Sequence, residues 1–164
     1  MRAATSQPMQ SLAVPIAAAV ACFAAWFIGG ALTRPNLEWY ATLAKPGFTP
    51  PDAAFPIAWI ILYSLMAVSV WMLWRAPGDP ADKRLALIWF GVQLVVGVLW
   101  SFVFFYMHNV ALGLGVILVY LIDIVITIVL FDRISRPAAL MLVPLALWVC
   151  FATGLNTAIW MLNS

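Results

Sequence analysis

Charge is what this sequence has least of. Lysine, arginine, aspartate and glutamate make up 9% of its 164 residues, against about 25% in an average soluble domain. Hydrophobic residues make up 66%, more than the core of a small soluble domain can hide. A water-soluble fold is excluded, and the bilayer is the implied solvent. The eight basic residues are scattered through the connections and form no stripe of the kind that tracks phosphates, which excludes nucleic acid as a partner. Histidine occurs once and cysteine twice. Cys22 and Cys150 lie inside apolar runs with no CxxC or Cys/His spacing, so they read as small packing residues and a zinc site is excluded. His108, beside Asn109 in a turn, reads as a solvated residue rather than a haem ligand. No metal and no required cofactor is expected.

What the sequence does have is long apolar runs, at residues 12–33, 55–74, 85–107, 110–131 and 138–162. Each is about 20 residues or longer, the length a helix needs to cross about 30 Å of hydrocarbon. The first exceeds the apolar core of about 7–15 residues in a cleavable signal peptide, so it reads as a span although Arg2 precedes it. The fold class implied is an all-α membrane protein, a single domain over residues 1–164 built as a five-transmembrane-helix bundle in the lipid bilayer. Five spans do not divide into the equal halves of an inverted-repeat transporter. Basic residues fall mainly on one side: Arg2, Arg75, Lys83, Arg84, Arg133 and Arg136 against Arg34 and Lys45. In a bacterial inner membrane, the expected location, the positive-inside rule then puts the amino terminus in the cytoplasm.

The first connection, residues 34–54, is much longer than the others, and long loops in compact domains are usually functional or disordered. Its content argues for order. Pro35 suits the first turn of a short helix, Glu38 favours that helix's positive end, and Trp39, Tyr40, Leu43 and Phe48 supply apolar weight for docking. Pro46, Pro50 and Pro51 hold the exit extended. The segment is expected to form a semi-rigid lid over the outer mouth of the bundle.

Helical spacing sorts the remaining polar and aromatic residues. Trp59, Tyr63, Met66 and Val70 share one face of the second span. Trp89, Gln93, Gly97, Trp100 and Phe104 share one face of the third, and Trp148, Ala152, Leu155 and Asn156 one face of the fifth. Faces that mix aromatics with sparse amides suit a cavity for a flat ligand. Trp26, Trp71, Trp74 and Trp160 read as interface anchors or packing. Asp123 lies mid-span in the fourth helix, where an ionisable group costs about 2.5–3.5 kcal/mol. Either it has a function, or it is protonated and hydrogen-bonded to Gln93, Asn156 or an indole. Gly97 and Ser101 form a small-xxx-small pair, a spacing that lets membrane helices approach closely.

The stretch from Glu38 to Met66, EWYATLAKPGFTPPDAAFPIAWIILYSLM, resembles the signature of the TspO/MBR family, the translocator or tryptophan-rich sensory proteins. The matching residues are Trp39, Tyr40, Lys45, Pro46, Phe48, Pro50, Pro51, Phe55, Trp59 and Tyr63. In the last span Pro144, Trp148, Phe151, Ala152, Thr153, Leu155 and Asn156 resemble the family's P-x-x-x-W-x-x-F-A-T-x-L-N pattern. Five spans, a long first loop and nine tryptophans agree with it.

The resemblance, not composition, implies a membrane receptor or carrier for tetrapyrroles such as porphyrin. On that reading Trp59 and Trp148 stack on the macrocycle, with Tyr63, Trp100 and Ala152 on the same inward faces. Gln93 and Asn156 bond its polar edges, Trp39, Tyr40 and Phe48 cover the mouth, and Lys45 faces the propionates. The alternative it implies is light- and oxygen-dependent porphyrin degradation through Trp59 and Trp148, because no conventional catalytic constellation is present. It also implies a homodimer through the third helix. Two departures are visible. Thr157 and Asn163 do not supply the Tyr and Lys/Arg of the cholesterol-recognition pattern of animal members, and Gly97 stands where relatives carry a second amide.

Overall fold

The computed structural model describes residues 11–164; Arg2, used in the charge count, lies outside them. Five helices among the described residues are long and apolar enough to cross a membrane. The first, α1 (Ala13–Thr33), runs through a 3-10 turn (Arg34–Asn36) into the short α2 (Leu37–Thr42). Pro35 sits at the start of that turn and Glu38 in the first turn of α2, as predicted. The carbonyls at the end of α1 are satisfied locally: Thr33 Oγ1 donates to Gly29 O at 2.9 Å and Asn36 Nδ2 to Leu32 O at 2.8 Å. The second span is α3 (Ala54–Arg75). Lys83 Nζ donates to the carbonyls of Trp74 and Ala76 at its end, a cation placed where the helix dipole favours one.

Two spans differ from the hydropathy reading. The third, α4 (Pro80–Ser101), starts ahead of residue 85. Asp79 caps it, accepting from Ala81 N at 2.7 Å, and Pro80 needs no hydrogen bond there, so the helix extends past the apolar run through Asp82, Lys83 and Arg84. It continues as a π turn (Phe102–Tyr106), after which the chain reverses at His108, whose φ of 54° is left-handed. The fourth span, α5 (Val110–Asp132), is capped by Asn109, which accepts from Leu112 N at 2.9 Å. The fifth is broken: α6 (Arg136–Leu140) stops and α7 (Val143–Asn163) restarts. Pro144 causes the break, because it has no N–H to give and its ring crowds the carbonyl of Leu140 four residues earlier.

α5 packs between α4 and α7, and α1 lies against α3 and α4. α3 is pinned to α6 by Ser69 Oγ, which donates to Ala138 O at 2.7 Å inside the core. Met66, Val70, Leu73, Ala86, Ile124, Phe131 and Leu142 are fully buried between the helices, while Ile16, Val20, Phe27, Val95, Ile122 and Leu147 face outward, as a lipid-facing surface requires. Gly97 and Ser101 are both used within the chain. A Cβ at Gly97 would stand 2.9 Å from the Tyr120 hydroxyl, and Ser101 Oγ faces Gly29 at 3.5 Å from where its Cβ would be. Their spacing therefore serves the α4–α5 and α1–α4 contacts of one protomer.

Gly97→Val is expected to destabilise the fold by about 1–3 kcal/mol through overpacking against Tyr120, read as a lower melting temperature in detergent. Tyr120→Phe in the same chain should recover part of that loss.

Candidate functional site

The lid is held at three points. Trp39 stacks on His108 with ring centroids 4.3 Å apart and planes at 14°, and His108 Nε2 lies 2.9 Å from Asn36 Oδ1. His108 is thus a lid contact rather than a merely solvated residue. Tyr40 is buried against Phe104, Leu155 and Ile159, with Phe104 and Phe105 presented by the π turn. Asn163, at the end of α7, clamps the backbone of Ala44 from both sides, accepting from its N at 3.0 Å and donating to its O at 2.9 Å. Lys45 folds back over the Tyr40 ring, 4.6 Å from its centroid, with Nζ 3.4 Å from the carbonyls of Ala41 and Leu43. A polar cavity of about 370 Å³ lies between Trp39, His108, Trp160 and Asn163.

Deeper down, α3 and α7 leave a cleft of about 400 Å³ between them, lined by Ala58, Ile61, Leu62, Leu147, Trp148 and Phe151 with Pro144 at one end. Its walls are apolar, and Ile61 and Leu147 are more than half exposed, so it opens sideways toward the acyl chains. Aromatic rings run from the lid into it. Phe48 meets Phe151 edge-on at 6.3 Å, Phe151 lies 5.7 Å from Trp148, and Trp148 meets Phe55 edge-on at 6.0 Å.

The residues singled out by sequence fall into separate groups. Trp148 lines the cleft, and Phe48 lies outside its lining but touches Phe151, which is part of it. Trp59 and Tyr63 pair at 5.8 Å; Tyr63 is buried and Trp59 half-buried against the core, as is Ala152. Trp39 and Tyr40 belong to the lid seat. Asn156 is already engaged: it accepts from Trp100 Nε1 at 3.3 Å and donates to Val110 O at 2.9 Å, tying α7 to α4 and α5. Gln93 is fully buried between helices and has no protein partner. Asp123 also has none, so the bonds to Gln93, Asn156 or an indole expected for it are not made.

Several positions that line the cleft or share the face of Asp123 escaped the sequence reading. Pro144 and Phe151 were inside the quoted pattern but were not weighed as lining. Ala58, Ile61 and Leu62 sit beside the tryptophan face of α3 and carry no polar or aromatic signal. Tyr120 and Thr127, at three before and four after Asp123, share its buried face, and that spacing was available.

Together these elements define a multi-pass α-helical membrane protein, with a helical lid clamped over one end of a five-span bundle and an aromatic-walled cleft beneath it. The chain belongs to the TspO/MBR family, whose profile matches residues 17–161. It is 37% identical to the tryptophan-rich protein TspO of Chlorobaculum tepidum over 87% of this chain and 90% of that one. It is similarly 36% identical to the tryptophan-rich sensory protein of Cereibacter sphaeroides, over 82% of each chain. The human translocator protein is 30% identical over 82% of this chain and 80% of its own length.

Asn163→Ala removes the clamp on Ala44. It is expected to speed hydrogen exchange at the Ala44 amide by roughly fivefold, the equivalent of about 1 kcal/mol for a hydrogen bond, while amides in the middle of α3 keep their protection.

Proposed function

We propose that the protein is a membrane receptor or carrier that binds a tetrapyrrole, porphyrin in the first instance, in the cleft between α3 and α7. The observation that carries this reading is the cleft itself: about 400 Å³, apolar, with Trp148 and Phe151 on its wall. Flat ligands are held by aromatic area, with few polar groups needed for orientation. One edge of the macrocycle would face the acyl chains, and the other would lie under Phe48 and the lid. The names carried by relatives, translocator and sensory protein, fit a binding protein that moves or reports its ligand. A second reading is light- and oxygen-dependent degradation of the bound porphyrin assisted by the tryptophans Trp59 and Trp148, of which Trp148 stands in the cleft wall and Trp59 lies half-buried against the core.

The charge distribution supports one orientation in the membrane. Arg75, Lys83, Arg84, Arg133 and Arg136 lie at one end of the bundle and Arg34 and Lys45 at the lid end, which in a bacterial inner membrane, the location we propose, supports the lid lying outside. A homodimer through α4 would use its outward residues Ile88, Val92, Val95 and Leu99, since Gly97 is taken up inside the protomer.

Trp148→Leu is expected to raise the apparent Kd for protoporphyrin IX roughly tenfold, about 1.4 kcal/mol, in a titration read by quenching of the remaining tryptophans. Trp71→Leu, on the outer surface, should leave it unchanged. Equal titrations for wild type and Trp148→Leu would remove the cleft as the site. Illuminating the complex and seeing no new absorbing product would leave the carrier reading alone. In a chain freed of its native cysteines, Ala81→Cys should label from the cytoplasmic side and Gly47→Cys from the other; the reverse pattern would invert the topology.

A further inference from the structure

The α4–α5 seam breaks a rule that the other buried side chains among the described residues keep. Six buried side-chain atoms have no hydrogen-bond partner in the described chain: both carboxylate oxygens of Asp123, both amide atoms of Gln93, the Tyr120 hydroxyl and the Thr127 hydroxyl. None of the four residues is more than 3% exposed. In a bilayer a polar atom without a partner is costly, because no bulk water can reach it.

The four residues share one seam. Tyr120, Asp123 and Thr127 stand at i, i+3 and i+7 on one face of α5. Two contacts fix the register of the antiparallel α4 beside it: Gly97 against the Tyr120 hydroxyl, and Phe90 against Phe131 with ring centroids 6.0 Å apart. Gln93 lies between Phe90 and Gly97, so it falls at the level of α5 between Tyr120 and Phe131, where Asp123 and Thr127 are. Five of the six atoms are oxygens: a carboxylate, an amide carbonyl and two hydroxyls, which together suit a small hard cation or a protonated carboxyl with bridging water.

Among the described residues, no side chain supplies the opposing charge. Between Arg84 and the end of α4 there is no ionisable residue. The titratable groups that face the seam from other helices are Tyr63 of α3 and Cys22 of α1, and neither is a base. α7 offers only Cys150, which points outward, and Ala138 and Ala139 of α6 are apolar. Lys83 is committed to the end of α3, and Arg133 lies ten residues along α5 from Asp123, about 15 Å away.

We propose that Asp123, Gln93, Thr127 and Tyr120 form an internal cation site, in which a proton or an alkali-metal ion neutralises the Asp123 carboxylate inside the α4–α5 seam. Gln93 and the two hydroxyls complete the shell, directly or through water, and the occupant joins the two helices where no protein bond does. The site is separate from the α3–α7 cleft and does not depend on the porphyrin reading.

The test uses the ligand-free, full-length protein in nanodiscs. Infrared spectra are recorded with aspartate carboxyl groups labelled with carbon-13, in H2O and D2O at neutral pH, and melting temperatures are measured in sodium, potassium, lithium and choline chloride. With a proton as occupant, wild type shows the carbonyl stretch of a protonated aspartate, downshifted in D2O and missing from Asp123→Asn. With an alkali ion, that stretch is absent and one of the three metal salts raises the melting temperature above its value in choline, an increment lost in Asp123→Asn. Thr127→Val, milder to the fold, should shift the carbonyl stretch in the first case and shrink the salt increment in the second. An ionised Asp123 in wild type together with equal melting temperatures in all four salts overturns the proposal, and this result needs no variant to fold.

Discussion

Hydrocarbon offers no hydrogen bonds, so every polar group that this chain carries into the membrane must be met from within. That constraint orders most of the structure. Asp79, Asn109 and Ser135 accept from the amides that open α4, α5 and α6. Thr33 and Asn36 donate to the last carbonyls of α1, and Lys83 to those of α3. Ser69 and Asn156 then use side-chain bonds to join one helix to another. A residue such as Asn156 is better understood as a rivet than as an adornment of a pocket, since replacing it would strand Trp100 Nε1 and cut the tie to Val110 O at once.

The same accounting explains where space opens. α6 is bound to α3 through Ala138, but Pro144 interrupts the helix before α7 begins, and α7 packs chiefly on α5. α3 and α7 therefore part, and the gap is lined by what each helix has to offer there: aliphatic side chains from α3, and Trp148 and Phe151 from α7. The aromatic residues at the lid end solve a different problem. The π turn swings Phe104 and Phe105 under Tyr40, giving the lid an apolar seat before Asn163 and His108 fix it with directional contacts.

The bundle itself was legible because its determinant is length of apolar sequence, and that is written locally. The five runs located the spans, and Pro35 with Glu38 located the short lid helix. Where hydropathy misplaced an edge, at Pro80, the deciding feature was a cap, to which hydropathy is blind. The break before α7 was also readable in principle from Pro144, but a single proline inside a long apolar run looks like any other tolerated one. The site was less legible. Helical spacing shows which residues share a face, not which neighbour that face meets. It brought Gln93, Trp100 and Asn156 into one imagined pocket with Trp148, whereas Asn156 binds Trp100, Gln93 meets α5, and Trp148 meets α3. Those choices depend on the order of helices around the bundle, which is a long-range property.

The lateral opening of the α3–α7 cleft sets the terms on which anything enters it. With Ile61 and Leu147 exposed on its rim, an apolar occupant arrives from within the bilayer, having already dissolved there. The concentration that governs occupancy is then moles per volume of lipid, not of buffer. An affinity quoted per litre of solution would drift with the amount of membrane or detergent present, while the same data expressed as a mole fraction in lipid would stay constant.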